Sequence, residues 1–153
     1  MSDQNNIDTN SLRSMFAGIR EEKSKTIGEY ILRMVDIKEY VNCEVFFHSE
    51  RMRILDMIHT YVDYMTGLQL TIDRRKSNVL DDILSNPQKN FAIKSRDERI
   101  ILVDGDASVS KLKELIAIYD NQIQFLSETK KGLDGIIYNM KHRVDVQKMM
   151  NVC

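Results

Sequence analysis

The sequence predicts a mainly α-helical protein, built from long helices with heptad seams, plus a small central β-hairpin. Three observations point there. Six Gly and one Pro in 153 residues leave few of the breaks that a loop-rich or all-β chain needs. Two long stretches carry apolar residues at alternating spacings of four and three. Between them the helical period lapses, and two short apolar runs flank a polar turn.

Residues 1–10 read as a polar, disordered leader. Its opening Met1–Asn6 has neither the basic nor the apolar stretch of a signal peptide. Residues 11–153 then read as one helical domain, since this length suits a single unit. Leu12, Met15, Phe16 and Ile19 fall at i, i+3, i+4 and i+7 behind Asn10 and Ser11 as candidate N-caps, which predicts a short amphipathic helix.

From Ile27 a first seam runs through Ile31, Met34, Lys38, Val41, Val45, His48, Met52, Leu55, His59 and Val62. Eight of these eleven positions are apolar, which predicts one long helix ending near Thr66, with Gly67 as its C′ residue. The stretch 68–107 is expected to be irregular. Val79, Leu80, Ile83 and Leu84 suggest two helical turns stopped before Pro87. Phe91-Ala92-Ile93 and Arg99–Val103 read as two strands joined by Ser95-Arg96-Asp97-Glu98.

Ser108 reads as an N-cap, and the second seam follows it: Leu112, Ile116, Tyr119, Ile123, Leu126, Lys130, Leu133, Ile137, Met140, Val144 and Gln147. Nine of the eleven are apolar, so a helix is expected over about 109–150. Gly132 and Gly135 inside it each cost about 1 kcal/mol relative to Ala. They are tolerable where a neighbouring helix comes close or where the helix bends.

Charge and motifs exclude several functions. Lys and Arg number 22 against 23 Asp and Glu, a net charge of -1, so no global basic field draws in duplex DNA or an anionic membrane. No run of 18 apolar residues is present to span a bilayer, and the chemistry suits a reducing, cytoplasmic setting. Phosphate-binding, dinucleotide-binding, zinc-protease and nucleophile-elbow motifs are all missing, which argues against an enzyme and against a cofactor. Cys43 and Cys153 form no zinc motif. His48 and His59 lie eleven residues, or about 16 Å, apart along a helix, too far to share one ion. Asp104-Gly105-Asp106 fails as a calcium loop, because Val109 and Leu115 stand where Gly and Glu are required. No metal is expected.

Binding remains. Arg74-Arg75-Lys76 is the densest basic cluster. Over 121–153, Lys130, Lys131, Lys141, Arg143 and Lys148 outnumber Glu128, Asp134 and Asp145, five to three. Either patch suits a phosphate backbone, with a solvated surface as the plainer alternative. Tyr61 and Tyr64 are candidates to stack on bases, although tyrosines at helical spacing also serve cores and interfaces.

Two stretches narrow the choice. Val62-Asp63-Tyr64-Met65-Thr66-Gly67, followed after an insert by Leu133-Asp134-x-Ile136, Asn139-Met140-Lys141-His142-Arg143 and Lys148, resembles the UvsY family of recombination mediators from large tailed phages. The likeness covers roughly residues 50–150. It implies a non-enzymatic, ring-like homo-oligomer that binds single-stranded DNA. Such a protein helps to load a RecA-like recombinase onto strand covered by single-strand-binding protein, in the host cytoplasm. The family's basic pair corresponds here to His59 and Tyr61, which shifts the expected DNA contacts toward Arg51, Arg53 and the Arg74-Arg75-Lys76 cluster, with Lys141, Arg143 and Lys148 on the last helix. Assembly is expected through Leu126, Leu133, Ile137, Met140 and Val144. The rival expectation is a helical scaffold or adaptor acting through protein–protein contacts alone.

Overall fold

The computed structural model describes residues 8–86, 88 and 95–150. Helix is the only regular secondary structure among them: α1 (Thr9–Arg33), α2 (Tyr40–Ser85), α3 (Arg96–Asp104) and α4 (Ala107–Met150). None of these helices is long and apolar enough to cross a membrane. The chain divides into two compact units, Met1–Thr60 with Gln122–Cys153, and Tyr61–Asn121.

In the first unit α1 begins earlier than expected. Asp8, not Asn10 or Ser11, caps it, with its carboxylate accepting from the Asn10 amide at 3.1 Å and the Ser11 hydroxyl at 2.8 Å. Most of the leader, residues 1–7, lies outside the described residues. The single helix expected from Ile27 to Thr66 is broken at residues 34–39. There the Asp36 carboxylate accepts the Lys38 N–H at 2.9 Å, the local bond by which Asp competes with helix. The reversal lays the Tyr30 ring on Phe46, with centroids 3.7 Å apart and planes 6° from parallel. It also brings the Cys43 thiol to the Tyr30 carbonyl at 3.6 Å. Burial, with Glu39 nearby, pushes the Cys43 thiol pKa up.

The first seam is displaced. Val41, Val45 and Met52, which it was expected to bury, are 66%, 64% and 51% exposed. The buried line is instead Cys43, Phe47, Glu50 and Ile54. It keeps the four-and-three rhythm two residues later, a turn of about 200° around the helix. The second seam is met in part: Leu126, Leu133 and Met140 of α4 are buried, while Ile123, Ile137 and Val144 are half-buried and the off-seam Gln122 is buried. Leu12 and Phe16 of α1 are buried in this unit too.

In the second unit α2 continues without a break through Thr66 and Gly67. The Thr66 hydroxyl donates back to the Val62 carbonyl at 2.9 Å and the Thr71 hydroxyl to that of Gly67, so this stretch is helix interior. Val79 and Ile83 of α2 pack with Val103 of α3. Ile72 of α2 and Val109, Leu115, Ile118 and Tyr119 of α4 are also buried.

The central β-hairpin is overturned. Its second strand, Arg99–Val103, is α3, while its first, 91–93, lies outside the described residues. The four residues read as a turn are a capping box. The Ser95 side chain accepts from the Glu98 amide and the Glu98 carboxylate accepts from the Ser95 amide, both at 3.1 Å. That reciprocal pair starts a helix and outweighs the strand preference of Ile100, Ile101 and Val103. Ser108 is likewise not the cap of α4. Asp106 takes that role, its Oδ1 accepting from the Ser108 amide at 2.9 Å and the Val109 amide at 3.4 Å. The Ser108 hydroxyl, which also donates to this oxygen, and then the two amides hold the Asp106 pKa below the usual carboxylate value.

Candidate nucleic-acid interface

The cations expected to meet DNA fall into both units, and several are engaged within the chain. In the first unit the Arg51 Nε donates to Asp134, whose other oxygen takes the Lys130 ammonium at 2.9 Å. The two cations hold the Asp134 carboxyl below its ordinary value, Arg51 contributing most. Arg51 is therefore half-buried and neutralised, unlike an open phosphate contact. Arg53 is 69% exposed and only 3.7 Å from the Glu50 carboxylate, and His59 is exposed.

At the end of α4, Lys141, Arg143 and Lys148 are all exposed. Lys141 and Lys148 stand one heptad apart, on the same side of the helix, with about 10 Å of rise between them. Arg143 acts on the Tyr40 phenol, which donates to the Met140 carbonyl. The Tyr40 pKa is raised by burial first and by Glu44 second, with Arg143 opposing them. Of the residues expected to assemble subunits, Leu126, Leu133 and Met140 are buried against the chain itself, while Ile137 and Val144 are half-buried.

In the second unit the tyrosines stack on a third one. The Tyr61 and Tyr119 centroids are 5.6 Å apart, and Tyr64 lies nearly parallel to Tyr119 at 5.9 Å and 24°. Burial raises the Tyr61 and Tyr119 phenol pKa values. Tyr64, 57% exposed, has the most surface left to offer, while Tyr61 is half-buried and Tyr119 buried.

Arg74-Arg75-Lys76 is not in an irregular segment but inside α2. Consecutive helical residues point about 100° apart, so these three fan around the axis rather than forming one patch. Lys76 pairs with Asp104 at 2.8 Å, and Lys113 reaches the same carboxylate oxygen at 3.1 Å. Both hold the Asp104 carboxyl below its usual value, Lys76 first.

Sequence reasoning missed a cavity in the second unit. Lys76, Leu80, Arg96, Arg99, Ile100 and Val103 are among its lining residues, and its volume is about 550 Å³. From sequence, Arg96 reads as turn and Arg99 as strand, whereas the Ser95-x-x-Glu98 capping box is the signal that puts both on a helix. Among the described residues no group of three or more His, Cys, Asp and Glu side chains is placed to hold a metal ion. No family model, no curated protein and no solved structure matches the chain.

Proposed function

We propose that this chain is a non-catalytic, single-stranded-DNA-binding recombination mediator, working as a ring-like homo-oligomer in the host cytoplasm. In that role it helps a RecA-like recombinase onto strand covered by single-strand-binding protein. The observation that carries the reading is the exposed trio Lys141, Arg143 and Lys148 on α4. These cations lie on the same stretch as Leu133-Asp134-x-Ile136 and Asn139–Arg143, which resembles the mediator family. Exposed Val41, Val45 and Met52 on α2 add an apolar stripe of the kind that a second protein surface covers. Assembly would multiply the few cations of each copy, so that a protein of net charge -1 holds an anionic strand through many weak contacts.

A second reading, an adaptor acting through protein contacts alone, is favoured by the pairing of Arg51 with Asp134 and of Lys76 with Asp104. Fluorescence anisotropy with a labelled thirty-nucleotide probe, single- and double-stranded, separates the two. The mediator reading expects preference for the single strand and weakening as salt rises, because bound phosphates release counterions. Flat titrations at low salt with both probes would leave the adaptor reading.

A further inference from the structure

We infer that the cavity between α2 and α3 is a docking site for an acidic peptide segment bearing apolar side chains. Its lining combines three cations, Lys76, Arg96 and Arg99, with the apolar Leu80, Leu84, Ile100 and Val103. One carboxylate, Asp104, lines it too, and that one already binds Lys76 and Lys113. Arg96 and Arg99 thus leave the site with an excess of positive charge.

Arg99 sharpens the argument. Its Nε is closed off from solvent and has no hydrogen-bond partner among the described residues. A buried guanidinium N–H without an acceptor is costly. No acceptor among the described residues competes at this atom for the Arg99 charge, and Arg99 is part of the cavity wall that an incoming carboxylate would meet. The volume of about 550 Å³ is of the size that encloses one or two side chains of a bound segment.

Charge selects an anion, and the walls select its apolar neighbour. That favours a peptide over a nucleic acid. This inference does not need the DNA reading, which is carried by Lys141, Arg143 and Lys148 of α4; of the cavity's cations only Lys76 is also an expected DNA contact.

The test is calorimetric titration of the full chain with an eight-residue peptide alternating Asp and Phe. A peptide with Asn in place of Asp serves as control, and an oligothymidylate as competitor. Binding of the acidic peptide, lost at least about tenfold with the Asn peptide and with Arg99→Met, is the expected result. Arg99→Lys should recover only part of it, because an ammonium lacks the planar fork. Without peptide, Arg99→Met should melt no lower than the parent chain, since it removes an unsatisfied buried donor. Equal binding of both peptides, indifference to Arg99→Met, or displacement by the oligothymidylate would each overturn the assignment.

Discussion

Glu50 is 4% exposed, and its carboxylate takes the Lys23 ammonium across α1 and α2, with Arg53 at 3.7 Å on its open side. An ion pair this deep is worth little beyond an apolar pair of equal volume, but breaking it leaves a charge stranded. Glu50→Leu alone should therefore cost about 3 kcal/mol in urea unfolding, because Lys23 loses its partner. Lys23→Met with Glu50→Leu should recover most of that loss. Additive losses would show that the two side chains do not act as a pair. Gln122 stands in a similar position: it is fully buried, and it accepts the Arg20 Nε at 2.7 Å while its own amide nitrogen finds no acceptor among the described residues. The Arg20 guanidinium also lies over the Phe125 ring, 5.6 Å from its centroid, so α1 and α4 meet through stacking as well as a hydrogen bond.

At the scale of the element, α2 shows what periodicity reveals and what it hides. A four-and-three rhythm was legible in the sequence, and so was a helix. Its phase was not, because α2 carries apolar residues on two sides: Val41, Val45 and Met52 on one, Phe47 and Ile54 on the other. Counting rewards either line, and only packing against α1 and α4 chooses the second. On α4 the same count found Leu126, Leu133 and Met140, but it missed Leu115, Ile118 and Gln122, which are buried although they lie off that seam. The candidate site was less legible still, since pairing of Arg51 with Asp134 depends on residues 83 positions apart.

Gly67 carries a prediction of the same kind. It was expected to end a helix but lies inside α2, and a Cβ added there meets nothing within 4 Å. Gly67→Ala should raise stability by about 1 kcal/mol, measured by thermal or urea unfolding. A loss instead would mean that this side of α2 meets a surface beyond the chain. Gly132 and Gly135 of α4 also have open space where a Cβ would go, so no neighbouring helix of the chain itself explains them.

For the whole molecule, the proposed role raises the question of how a chain of net charge -1 would hold a polyanion. Arg51 and Lys76 are occupied by carboxylates, and Arg74, Arg75 and Lys76 diverge around α2. In the proposed role the burden falls on exposed cations at the end of α4, multiplied by copies of the chain. The most direct measurement is the salt dependence of single-strand affinity for the parent chain and for a Lys141→Ala, Arg143→Ala, Lys148→Ala triple variant. The proposed interface predicts that the variant still folds, binds more weakly, and loses about two from the slope of log affinity against log salt if all three cations meet phosphates. A folded variant with the parent's affinity and slope would contradict it.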